Sequence, residues 1–163
     1  MEDQNLFFNG TAPDPVYGAP VVSKKWCNEE TLNSEDTGID FILLRYADIL
    51  LMYAEAQNEV AGPDGTVYDA VNKVRERANM PPLPAGLSQD AMREEIRHER
   101  RIEFVMEGTR YYDLIRWGIA EDVIPSIPEL QNRVFDPSKN YLWPVPQSAI
   151  DSNPELITQN PGY

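Results

Sequence analysis

Fourteen prolines decide where regular structure can run in this 163-residue chain, because most of them sit near its two ends. Pro13, Pro15 and Pro20 mark the first segment; Pro125, Pro128, Pro137, Pro144, Pro146, Pro154 and Pro161 mark the last. Only Pro63 and the Pro81, Pro82, Pro84 cluster fall between them. Inside a helix, proline removes an amide donor and clashes with the preceding turn. Three windows are therefore open to helices: 40–61, 67–79 and 88–118.

In the first window Leu43, Ala47, Leu50 and Ala54 follow the three-to-four spacing of one helix face, widened by Leu44 and Leu51. Ile49, Met52, Tyr53 and Ala56 form a second apolar set opposite, leaving a narrow polar strip of Arg45, Asp48, Glu55 and Glu59. Such a helix is expected to lie between neighbours. Gly62-Pro63-Asp64-Gly65 makes a turn, and its Asp-Gly pair has only a fragment of a calcium loop's ligand pattern. Val67, Ala70, Val71, Val74 and Ala78 then give the second window one stripe, predicting a helical hairpin of tetratricopeptide-like length. The third window starts on Ser88 as cap, with Asp90 in the first turn and Leu87 stapled onto Met92. Its stripe runs through Ile96, Ile102 and Met106 to a break at Gly108, and a shorter helix through Tyr112, Leu114, Ile115 and Trp117 ends at Gly118. Residues 119–163 lack helical periodicity apart from one turn at 148–153, yet they carry Phe135, Tyr141, Leu142 and Trp143. That is too much apolar surface for a free coil, so an ordered tail wrapped over helices is expected.

Charge and composition exclude several functions. With 14 basic and 27 acidic residues the formal charge is −13, which opposes nucleic acid and anionic membrane surfaces. The first ten residues show neither the basic nor the apolar region of a secretory signal. One cysteine, Cys27, permits no internal disulfide, and one histidine, His98, leaves little for metal or triad chemistry.

Glu99 and Glu103 fall at the middle of the Met92, Ile96, Met106 stripe. Two carboxylates one turn apart suit a glycosidase pair or half of a di-metal site. The first needs an open cleft, however, and the second needs histidines the chain lacks. The structural alternative is that buried glutamates pair with arginines from this or a neighbouring helix and fix its register. Six arginines and seven acids share residues 88–118, so an ion-pair network is expected there, with Glu99, Glu103, Arg100, Arg110, Asp113 and Arg116 as members. Trp26, Tyr17 and Tyr141 are the aromatic candidates for stacking on a sugar ring.

Four stretches, taken in order, resemble one family. They are residues 44–56 (LRYADILLMYAEA), 71–78 (VNKVRERA), 98–118 with His98-Glu99-Arg100-Arg101 and Glu107-Gly108-Thr109-Arg110, and the tail from Leu142-Trp143-Pro144 to Gln159-Asn160-Pro161-Gly162-Tyr163. The chain is similar to the SusD/RagB nutrient-binding outer-membrane lipoproteins. The resemblance implies an all-α fold of tetratricopeptide-like hairpins with long ordered loops, and a non-catalytic protein without cofactor or metal. It implies a glycan or oligosaccharide ligand, a SusC-like TonB-dependent transporter as partner, and a place on the outer surface of the outer membrane. Contact with the membrane would be only through an N-terminal lipid anchor absent from this chain. Residues 1–39 are expected to belong with the missing N-terminal part and 40–163 to form the C-terminal helical domain. The alternative from another class is a tetratricopeptide-type scaffold that binds a protein or peptide.

Overall fold

The computed structural model describes residues 42–127 and 134–163, and these divide after Glu107 into two compact units. The first holds α1 (Tyr46–Ala61), α2 (Gly65–Arg77) and α3 (Gln89–Glu103); the second holds α4 (Arg110–Arg116), α5 (Ala120–Val123) and α6 (Gln147–Ser152). The expected all-α fold is what the described residues have: they contain no strand. No helix among them is long and apolar enough to cross a membrane.

In the first unit α1 packs against both α2 and α3. Leu51 and Ala54 of α1, Val67, Ala70, Val71 and Val74 of α2, and Met92 and Ile96 of α3 make one core with Leu83 and Phe104. Complete burial of a side chain of this size stabilises by about 1.5–3 kcal/mol. Asn58 is also fully buried, and it ties the end of α1 to the start of α3. Its Nδ2 donates to the Gln89 carbonyl at 3.0 Å, while Gln89 Nε2 donates to the Asn58 carbonyl at 2.6 Å.

The helix ends follow local chemistry. α1 starts at Tyr46, later than the window at 40 allows, because Arg45 is extended (φ −138°) and sends its side chain elsewhere. Gly62 stops α1 at φ 81°, where a side chain would be strained. Asp64 then caps α2, accepting from the Thr66 and Val67 amides at 2.8 and 3.1 Å, which draws Gly65 and Thr66 into the helix ahead of the predicted start at Val67. Ser88 caps α3 through the Ala91 amide.

The expected run of α3 to Gly108 is corrected. The helix ends at Glu103, and Met106 (φ 66°) and Gly108 (φ 76°) turn the backbone left-handed. Ile102 and Met106, placed on the stripe by periodicity, are 55% and 68% exposed, and Phe104 is buried instead.

The Asp64 cap has a pH consequence. Bonds from Thr66, Gln57 and the Val67 amide hold its carboxyl at about 2, below the ordinary 3.8. A carboxyl lowered on folding adds stability above its unfolded pKa, and that stability fades as pH falls through the folded value. Thermal melts of the parent and Asp64→Ala at pH 4 and pH 2 are expected to converge at the lower pH. An equal gap at both would contradict this.

The second unit has a small core of Leu114, Ala120 and Phe135, with Ile115, Ile119, Val123, Ile124 and Tyr141 packed on it. α5 lies where the sequence shows no helical periodicity, because a single turn is too short to display any. The tail is stitched by side chains. Gln159 bonds both the amide and the carbonyl of Val145 at 2.7 and 2.9 Å. Asn160 Nδ2 donates to the Trp143 carbonyl at 2.6 Å, and the Tyr163 hydroxyl donates to the Leu142 carbonyl at 3.0 Å.

Candidate functional site

Two groupings of polar and aromatic side chains stand out, one in each unit. In the first unit α3 presents Glu99 and Glu103 on the same buried face as Met92 and Ile96. Glu103 accepts from Arg45 and, at 2.6 and 2.8 Å, from Arg77. Arg45 reaches this point because its extended backbone lies outside α1, and it also makes a two-bond fork to Glu107, each bond 2.9 Å. The early end of α3 allows this, since the turn carries Glu107 back towards Arg45. Burial alone would lower the Arg45 pKa, but the carboxylates of Glu107 and Glu103 outweigh it and hold it above its ordinary value.

Glu99 accepts from Arg75 at 2.8 Å. Arg100, 5% exposed, donates to Asp48 at 2.8 Å, and its guanidinium lies 5.0 Å from the Phe104 ring centre, with that of Arg45 at 4.6 Å. The arrangement is an arginine–carboxylate clamp joining the start of α1, the end of α2 and the last turns of α3. It offers no acid–base pair to a substrate, because each glutamate is buried and already holds a guanidinium. The arginines from α2 and the α1 entry, Arg75, Arg77 and Arg45, lie outside the window 88–118 in which the network was expected. Local charge spacing carries no signal for partners 24 to 62 residues away.

The other expected members lie in the second unit. Asp113, 3% exposed, accepts from Arg116 Nε at 2.9 Å. The Arg110 and Arg116 guanidiniums lie 5.9 and 4.8 Å from the Trp117 ring centre.

Of the aromatic candidates, Tyr17 and Trp26 fall outside the described residues. Tyr141 is half-buried and meets Phe135 edge-on at 5.0 Å, a contact at the edge of the small core of this unit. In the same unit Trp143, at 67%, and Tyr112, at 65%, are the more exposed rings. Each meets Tyr111 edge-on, at 5.8 and 6.0 Å, and the Tyr111 hydroxyl donates to the Asn140 carbonyl at 3.1 Å. The Leu-Trp-Pro context predicted extended backbone but contained no pattern to say which ring faces outward. No group of three or more metal-ligating side chains occurs among the described residues.

The SusD family model matches residues 2–163. SusD-like protein P2 of Formosa agariphila is 37% identical over 139 residues, covering 80% of this chain and 27% of that protein. A solved SusD homolog from Bacteroides thetaiotaomicron superposes with a TM-score of 0.65 at 38% identity, over 74% of this chain and 26% of the other. The surface glycan-binding protein A from Bacteroides thetaiotaomicron does so at 0.59 and 34% identity, over 76% and 25%. The chain thus spans about a quarter of the length of these relatives.

Proposed function

The chain belongs to the SusD family, and from that premise we propose that it is the C-terminal helical part of a surface protein that captures a glycan or oligosaccharide without cleaving it. In this reading residues 1–39 go with the N-terminal remainder, and 40–163 form the helical domain. The full-length protein is held at the outer face of the outer membrane by an N-terminal lipid and passes its ligand to a SusC-like TonB-dependent transporter. The observation that carries the reading is the likeness to surface glycan-binding protein A, in fold and at 34% identity. The chemistry of the chain agrees with it. Glu99 and Glu103, the carboxylate pair weighed for glycosidic cleavage, are engaged by Arg75, Arg45 and Arg77. Capture needs only a shaped surface with some apolar ring faces and polar groups, and Trp143 and Tyr112 supply exposed rings.

Calorimetric titration with a panel of soluble polysaccharides tests this. A full-length family protein carrying this segment is expected to bind at least one of them, and the 163-residue chain alone about a hundredfold more weakly, a difference of ~2.7 kcal/mol. Absence of any bound polysaccharide in the longer protein would overturn the reading.

A further inference from the structure

α3 stops about one turn before its sequence would stop it. The spacing of Ile102 and Met106 and the glycine at 108 favour a helix to Glu107, with Gly108 as its left-handed cap. Instead α3 ends at Glu103, and Met106 lies in the left-handed region at φ 66°, a strained backbone for a residue with a side chain. Strain of this kind persists only where the surroundings hold it. Arg45 is the group in position to do so. In a continuing helix the Glu103 carbonyl would accept from the Glu107 amide. Here that carbonyl accepts from Arg45 Nη2 at 2.7 Å, and the Glu107 amide donates to the Phe104 carbonyl at 3.0 Å. The same guanidinium forks onto the Glu107 carboxylate and lies 4.6 Å from the Phe104 ring centre. One side chain thus grips residues 103, 104 and 107 together.

We propose that the Arg45–Glu107 pair is a stop for α3, and that the end of this helix has two arrangements. One is the left-handed turn that Arg45 holds; the other is a helical extension to Glu107, taken when the fork is released. Two features make the first arrangement win in the parent. The guanidinium sits at the C-terminal end of α3, where a positive charge meets the negative end of the helix dipole. In an extended helix Glu107 would also stand one turn beyond Glu103, carboxylate beside carboxylate, an unfavourable like-charged spacing. The turn removes that clash by bringing both carboxylates onto one arginine. Without the Glu107 carboxylate the clash and the fork disappear together, and the helical preference of the segment decides.

The test is Met106→Gly, made in the 163-residue parent and again beside Glu107→Ala, with thermal melts of all four proteins. Glycine relieves a left-handed position but weakens a helical one. Met106→Gly is therefore expected to raise the melting temperature of the parent by about 2 °C or more, and to lower that of Glu107→Ala by about 2 °C or more. NMR gives the direct reading. The amide-to-Hα distance within Met106, short when φ is positive, is expected to lengthen in Glu107→Ala. A shift of the same sign in both backgrounds, or no shift in either, overturns the proposal, as does a Met106 that stays left-handed without the fork. If Glu107→Ala is too unstable to melt, Glu107→Gln takes its place in the same comparison. Failure of both to fold also overturns it, because Arg45 keeps Glu103 in either variant and residue 107 is not part of the core.

Discussion

Glu103→Ala is expected to destabilise the first unit by about 3–5 kcal/mol, the usual consequence of removing one partner from a buried ion pair. The Glu103 side chain is 5% exposed, and its loss would strip a carboxylate from Arg45 and Arg77 together. Arg45 would keep its fork to Glu107 but lose the Glu103 carboxylate, and because Arg45 is the more buried of the two guanidiniums that pair is the larger part of the loss. For a small domain this corresponds to a fall in melting temperature of about 12 °C or more. Arg77→Ala is the contrasting variant. Its side chain is 64% exposed, and its removal should cost no more than about 1 kcal/mol. If Glu103→Ala melts within a degree or two of the parent, the clamp contributes nothing and the buried carboxylates need another explanation.

Leu51→Ala should have a comparable effect through packing rather than charge. Leu51 is fully buried in the core that α1 shares with α2 and α3. Large-to-small changes at such sites cost about 2–5 kcal/mol, part lost transfer energy and part residual cavity. Leu43, 88% exposed, is the natural control, and Leu43→Ala should stay within ~0.5 kcal/mol. Urea unfolding of the two variants should show a lowered midpoint with unchanged slope for Leu51→Ala alone. Equal midpoints would place the core elsewhere.

What could be read in the sequence follows from the range of each signal. Helix windows were legible because proline, capping and three-to-four spacing act within a few residues. Ser88, Gly62 and Gly118 therefore mark ends that the structure also has. The end of α3 was not legible. Periodicity carried Ile102 and Met106 onto the core stripe, whereas Ile102 lies on the exposed flank of α3, Met106 falls in a left-handed turn beyond the helix, and Phe104 is buried. Asp64 stood out in the sequence as a fragment of a calcium loop, and it acts as the cap of α2. Glu99 and Glu103 could be placed on the buried face of their helix by spacing. Their partners Arg75 and Arg45 could not, because those contacts depend on how α1, α2 and the α3 turn meet. The same limit applies to the tail, where side-chain bonds of Gln159, Asn160 and Tyr163 to the backbone accompany an outward Trp143 and a half-buried Tyr141 packed against the core.

Under the proposed reading this chain serves capture and not cleavage, with Glu99 and Glu103 held by arginines in a structural clamp. The most direct test of that reading is the release of reducing ends from the polysaccharide panel by the purified chain and by Glu99→Gln. No release above the protein-free blank is expected from either protein. Cleavage requires two carboxylates set across an open site, one of them a proton donor, and here both are buried against arginines. Steady release by the parent that is lost in Glu99→Gln would contradict it.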